Sequence, residues 1–191
     1  LILMDIQMPV KNGYEGLTGA VNIENKQPFE AEKFGVDLFF NHQGRSELFL
    51  TSGQQISKKF ANASFIGASF NKANFDANKD GLLDNPLTTL INIMDKIDDR
   101  NEKLESQISI KYAYENRIGG QTNFNKATDF NTLNYYGFGS KTNRLEFATK
   151  TGFFLHGNEY QSLGIQVSGV YHNMNAFYGL HNYLGKEYNA N

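Results

Sequence analysis

Leu163-Gly164-Ile165-Gln166-Val167-Ser168-Gly169-Val170-Tyr171-His172 decides the fold class. Leu163, Ile165, Val167, Gly169 and Tyr171 fall on one side of an extended chain, and Gly164, Gln166, Ser168 and His172 fall on the other. This two-residue period belongs to a strand with one apolar face and one small, polar face. The same pattern recurs in Leu145, Phe147, Thr149, Thr151, Phe153 and Leu155 against Glu146, Lys150 and His156. It recurs again in Ile108, Ile110, Tyr112 and Tyr114 against Gln107, Ser109, Lys111 and Ala113, and in Phe34, Val36, Leu38 and Phe40. Glu47 to Ile56, Ala61 to Phe70 and Thr88 to Ile97 carry weaker versions.

Short turn signals stand between these runs at Asn41-His42-Gln43-Gly44, Asp98-Asp99-Arg100-Asn101 and His156-Gly157-Asn158, whereas Asn116 to Asn143, rich in Asn, Gly and Thr, reads as a long loop. The expected fold is all-β, an antiparallel meander. A soluble sandwich and a transmembrane barrel both produce such alternation, with the apolar face turned inward or toward lipid. Strands longer than the usual 5 or 6 residues, small residues on the polar faces, and aromatics near strand ends (Phe153-Phe154, Tyr171, Phe177-Tyr178) favour part of a barrel that is incomplete in this chain.

Composition narrows the function classes. Charged residues are 20% of the chain and the formal net charge is -2, so there is no basic footprint for nucleic acid. Phe 16, Tyr 10 and Gly 18 against Trp 0 and Pro 3 suit a β-rich protein. With Cys 0, disulfides, thiolate metal sites and cysteine nucleophiles are excluded. No run approaches the roughly 18 apolar residues of a spanning helix, and Leu1 to Met4 lacks the basic region and cleavage site of a signal peptide. The chain is expected to be an internal piece of something larger.

Asn12-Gly13-Tyr14-Glu15-Gly16-Leu17-Thr18-Gly19-Ala20-Val21-Asn22-Ile23-Glu24, followed by Lys26-Gln27-Pro28-Phe29, resembles the end of the plug domain in TonB-dependent outer-membrane receptors. There a glycine-bearing turn leads to a β-prone segment and a Lys-x-Pro exit toward the first barrel strand, and Pro28 would stop further sheet pairing. Asp84-Asn85-Pro86-Leu87-Thr88-Thr89, Tyr114-Glu115-Asn116-Arg117-Ile118-Gly119-Gly120-Gln121, Lys150-Thr151-Gly152 and Tyr160-Gln161-Ser162-Leu163-Gly164 resemble later strands and loops of the same family, particularly its Bacteroidetes-type members. The resemblance covers residues 12 to 191. It implies a bacterial outer-membrane importer that binds a scarce nutrient, such as a metal chelate or cobalamin, and works with the TonB complex and outer-membrane lipid as partners. The TonB box, most of the plug and most of a barrel of about 22 strands do not occur in these residues. In the family's terms, Arg117 and Gln121 would be ligand-facing loop residues.

Leu1-Ile2-Leu3-Met4-Asp5-Ile6-Gln7-Met8-Pro9-Val10-Lys11-Asn12-Gly13-Tyr14-Glu15, which overlaps the plug-like stretch at its last four residues, resembles instead the phosphoacceptor segment of response-regulator receiver domains. By that match Asp5 would take the phosphoryl group and the Gln7 carbonyl would help bind Mg²⁺. A receiver also needs an acidic pair, a later Ser/Thr and a Lys on a doubly wound domain, and nothing after residue 16 supplies its alternation of strands and helices. The expected organisation is therefore composite: a receiver-like segment over 1-11, the end of a plug domain over 12-28, and a partial β-barrel with extracellular loops over 29-191. A phosphorelay fragment and a soluble β-sheet binding module are the alternatives.

Asp76-Ala77-Asn78-Lys79-Asp80-Gly81-Leu82-Leu83-Asp84 matches the first nine positions of an EF-hand loop. Asp76, Asn78, Asp80, Asp84 and the Leu82 carbonyl are thus candidate Ca²⁺ ligands in a loop that Gly81 lets turn sharply. Position twelve is Leu87, not Glu, so an EF-hand domain is not expected, and an Asp/Asn-rich turn is the plain alternative. His42, His156, His172 and His181 lack metal-ligand spacing, and Ser64, Ser109 and Ser168 lack a nucleophile elbow, so no enzyme is expected. Asp98, Asp99, Arg100, Glu102 and Lys103 read as a solvated hairpin turn.

Overall fold

The computed structural model describes residues 26-154 and 162-190, together with two short strands, β1 (Met4–Asp5) and β2 (Asn22–Ile23), which pair antiparallel. The remaining strands are β3 (Gly35–Phe40), β4 (Arg45–Gln55), β5 (Phe60–Asn71), β6 (Leu87–Arg100), β7 (Leu104–Gly120), β8 (Gly137–Phe154), β9 (Ser162–Tyr178) and β10 (His181–Ala190). A 3₁₀ turn covers Pro28–Glu30, and a one-turn helix, α1 (Lys126–Asp129), sits between β7 and β8. Strands β3 to β10 form one antiparallel sheet in sequence order, with β3 and β10 at its two edges.

Directly opposed residues in an antiparallel ladder project to the same side, so the register sorts every side chain. Ile66 faces Ile93, Ile93 faces Tyr112, Ile110 faces Phe147, Thr149 faces Val167 and Tyr171 faces Tyr188. These residues form one apolar face across the sheet. On the other face Ala63 meets Lys96, Asp98 meets Gln107, Lys111 meets Glu146 and Arg144 meets His172. The apolar face is open to its surroundings: Leu38 is 63% exposed, Ile110 52%, Leu163 55% and Leu184 77%. Among the described residues the buried apolar side chains are Ala61, Ala63, Ala176 and Phe177, with Pro28 from the entry segment.

The two long links share one end of the sheet, which also carries the short turns 41-44 and 179-180. Residues 56-59 and 101-103 link strands at one end of the sheet, and the longer segments 72-86 and 121-136 link them at the other. The first is called the short-turn end below and the second the long-loop end. Asn101 closes its turn by accepting at Oδ1 from the amides of Lys103 and Leu104.

Each run with alternating apolar residues falls on a strand over most of its length, with Phe34 and Ile56 just outside β3 and β4 and Leu155 outside the described residues, and three local expectations need correction. Asn116 to Asn143 is not one loop: β7 continues to Gly120 and β8 begins at Gly137, with 17 residues in the first strand and 18 in the second. Cross-strand packing overrides the turn-prone composition there, because glycines admit aromatic rings that lie across the neighbouring strand. A Cβ on Gly139 would come within 2.7 Å of the Phe177 ring and 2.6 Å of the Arg117 carbonyl oxygen. Asp98, Asp99 and Arg100 belong to β6, and the turn begins at Asn101. Finally, β10 was not apparent from its apolar pattern, which is broken by Gly185 and Lys186; it forms by backbone pairing to β9.

Gly139→Ala is expected to lose about 1–3 kcal/mol of stability through overpacking. Gly164→Ala, where a Cβ would meet nothing within 4 Å, is expected to stay within about 0.5 kcal/mol of the parent. Thermal unfolding followed by circular dichroism checks the pair.

Candidate functional site

The polar face carries a built feature at each end. At the short-turn end, the Pro28–Glu30 turn lies against β4, β5 and β6, over Ala61 and Ala63, which are fully buried beneath it. Gly53 lets the chain come this close: a Cβ there would stand 2.7 Å from the Ala31 carbonyl oxygen. Its amide donates to the Glu32 carbonyl at 2.7 Å.

Beside the turn, Asp98 is 1% exposed and fully occupied. Gln107 Nε2 donates to its Oδ1 at 2.8 Å, and Arg100 Nη2 reaches its Oδ2 at 3.3 Å. Gln27 Oε1 accepts from Gln107 Nε2 and from Lys96 Nζ, which joins the incoming segment to the network. Arg100 also lies 4.8 Å from the centre of the Phe29 ring and pairs with Glu105 at 3.2 Å. A buried carboxylate is tolerable only when hydrogen-bonded and paired in this way. The solvated turn expected for Asp98 is therefore wrong, because the Pro28 turn covers it. On the exposed side, a hydrogen bond from Lys26, and then the charge of Lys26, hold the Glu32 carboxyl below its ordinary range. This contact contributes above the ordinary carboxylate range and is lost as pH falls through the lowered value.

At the long-loop end, a cavity of about 300 Å³ opens on the polar face among β4, β5, β6 and β7. Arg45, Ser69, Asn71, Thr88, Glu115 and Arg117 line it, and Gln43 and Asn85 close its rim through a hydrogen bond of 3.1 Å. Arg45 is held by Glu47 and Arg117 by Glu115, in each case two residues away on the same strand and face. Asn71 Nδ2 donates to the Pro86 carbonyl at 3.0 Å, while its Oδ1 is buried with no hydrogen-bond partner.

Of the residues singled out in the sequence, Arg117 lines this cavity. Gln121 serves the adjoining loop: its Oε1 accepts from the Tyr136 amide at 2.7 Å, and its own amide donates to the Tyr136 carbonyl. Of Asp5 the backbone alone is described, opposite Asn22. In the 76-84 loop, Asp76 accepts at both oxygens, from the Asp80 and Gly81 amides. Asp80 accepts from the Leu82 amide and Asp84 from the Ala77 amide, and Gly81 takes a φ of +83°. Among the described residues no group of three or more His, Asp or Glu side chains is placed to hold a metal ion. His156, Gln7 and the segment from Asn12 to Val21 lie outside the described residues. Asp98, Gln107 and Asn71 escaped the sequence reading; the polar side of the Leu104–Gly120 alternation was the available signal for Gln107, and nothing local distinguished Asn71.

No family model, no curated protein and no solved structure matches this chain.

Asp98→Ala should remove about 1–3 kcal/mol by taking from Gln107 one of its two acceptors and leaving Arg100 half-paired. Hydrogen exchange is the readout. The Glu30 amide, now bonded to the Gln27 carbonyl at 3.0 Å, should exchange faster in the variant while amides in the middle of β8 keep their rates.

Proposed function

We propose that this chain is part of a TonB-dependent outer-membrane receptor, comprising the end of the plug and the first strands of the barrel, and that it takes part in nutrient import across the outer membrane. The observation that carries this reading is the exposed apolar face running from Val36 and Leu38 in β3 to Leu184 and Tyr188 in β10. In water a patch of this extent marks a surface that belongs against something apolar. A soluble sandwich would bury it under a second sheet, and among the described residues no second layer covers it.

Strand length supports the same reading. A barrel strand tilted in a bilayer needs about 9–11 residues to cross the hydrocarbon, and β4 to β10 run from 10 to 18 residues. The links 72-86 and 121-136 are long and 56-59 and 101-103 at the opposite end are short, as in outer-membrane barrels, which have short periplasmic turns and longer extracellular loops, although 41-44 and 179-180 at the long-loop end are short as well. The entry of residues 26-32 at the short-turn end, across the polar face, suits a chain leaving a plug inside the barrel. Among the described residues no helix is long and apolar enough to cross a membrane, which leaves strands as the spanning elements of this reading.

Placing a cation on the lipid face of a barrel strand costs about 2–4 kcal/mol at mid-depth, whereas the lumen face tolerates it. Leu145→Arg, in the middle of β8 and opposite Tyr112 and Tyr171, is therefore expected to lower assembly into lipid vesicles, read as protease-protected protein, by tenfold or more, and Ser109→Arg to leave it near the parent value. Equal yields for the two variants would sink the proposal.

A further inference from the structure

We propose that the apolar face of β8 to β10 carries a binding site for an anionic lipid, with an acyl chain in the groove over Gly169 and the headgroup phosphate on Lys141 and Lys186. The inference rests on the reading of this face as lipid-exposed and deepens it by naming one partner and the place it occupies.

The groove comes from two small residues side by side. Gly169 stands opposite Phe147 on β8 and Ala190 on β10, so nothing fills the space between their larger neighbours. Leu145, Phe147, Tyr171 and Tyr188 wall a groove of about 370 Å³. The Tyr171 and Tyr188 rings, 5.1 Å apart, stand at the side nearer the long-loop end. A flexible hydrocarbon chain can follow such a furrow. A second sheet packed flat across it would leave it empty, and empty apolar space forfeits contacts.

Charge then selects the headgroup. The charged side chains that β3 to β10 set on this face are Lys141, Lys186, Asp95 and Asp99, and the two signs are segregated. The lysines lie toward the long-loop end, and the aspartates lie toward the short-turn end of β6. Along β10, Ala190 at the groove is followed by Tyr188 and then by Lys186, about 14 Å away at the usual strand rise. Along β8 the same face reads Phe147, Leu145, Asn143 and Lys141. Groove, tyrosine pair and cation thus come in the order of acyl chain, ester region and phosphate in a lipid. Neither lysine has a carboxylate across from it: Lys141 faces Asn116 and Asn175, and Lys186 faces Asn173. Their long stems let the ammonium groups reach toward the headgroup level, and the N–H groups of the intervening asparagines can donate to phosphate oxygens. Lys72, held on the same face by Thr89 Oγ1 at 2.6 Å, extends the positive collar.

The test uses the full chain in detergent micelles with added phosphatidylglycerol, which is anionic, or phosphatidylcholine of the same acyl chains, which has no net charge. Native mass spectrometry counts the lipids retained. The parent is expected to keep one phosphatidylglycerol, held at least about tenfold more tightly than phosphatidylcholine. Replacing both lysines, Lys141→Gln with Lys186→Gln, should bring the two lipids within about twofold of each other. Gly169→Leu should weaken both at least about fivefold by filling the groove. A Cβ there would meet only the Asn189 carbonyl oxygen, at 3.8 Å, so the sheet accommodates the change. Equal retention of the two lipids by the parent, a preference that survives loss of both lysines, or unchanged retention in Gly169→Leu would overturn the site. So would a lipid-free dimer that Gly169→Leu disrupts, which would assign the groove to a second copy of the chain. Failure of the receptor reading looks different. A parent that inserts into phosphatidylcholine vesicles yet shows no lipid preference loses the site and keeps the membrane reading, and one that inserts into vesicles of neither lipid loses both.

Discussion

Everything in this molecule depends on the register of one antiparallel ladder. Most pairings from β3 to β10 set apolar against apolar on one side and polar or small residues against each other on the other, as with Ile93 and Tyr112, or Lys111 and Glu146. Because the side-chain period is two, a one-residue slip between β6 and β7 would set Ile93 opposite Lys111 and carry the rest of the sheet to the wrong face. The pattern is thus a continuous constraint across eight strands, and it stabilises them only if the apolar face has an apolar environment. Cross-strand contacts such as Phe49 stacked on Phe65, 6.4 Å between ring centres on the polar face, add local fastening without altering that requirement.

Departures from the pattern are informative because each is satisfied. Asp95 lies on the apolar face, where Asn62 Nδ2 reaches both its oxygens at 3.0 Å and Ser64 Oγ donates at 2.6 Å. A carboxylate so clothed can sit near the edge of an apolar zone at much lower cost than a bare one, and Asp95 is only five residues from the end of β6. On the opposite face, Asp98 is buried by the chain that precedes the sheet. The Gln27–Gln107–Asp98–Arg100 network therefore ties the entry segment to the strands it crosses, so movement of one would be felt by the other.

The strand class and most strand positions could be read from alternation alone, because residues such as Ile108, Ile110, Tyr112 and Tyr114 repeat without interruption. What escaped was long-range. The strand character of Gly119-Gly120 and Gly137 to Gly139 comes from neighbours such as Phe138 and Phe177, which are distant in sequence or indistinguishable from loop residues. Burial of Asp98 depends on Pro28, about seventy positions away, and the surrounding Asp-Asp-Arg-Asn composition points locally to solvent. Arg117 and Gln121 look alike in a linear reading, yet the register sends the first into the cavity while Gln121 braces the loop against Tyr136. The orphaned oxygen of Asn71 is visible only once Pro86 is seen to take its amide nitrogen.

Lipid contact at the apolar face is the central claim, and the absence of cysteine makes it directly measurable. Single cysteines placed in turn from Gln107 to Tyr114 would carry a fluorophore, and quenching by nitroxide-bearing lipids would be recorded in reconstituted vesicles. The account predicts strong quenching at 108, 110, 112 and 114 and weak quenching at 107, 109, 111 and 113. Uniform quenching, an inverted pattern, or no quenching from a chain that remains monomeric outside the vesicles would contradict it.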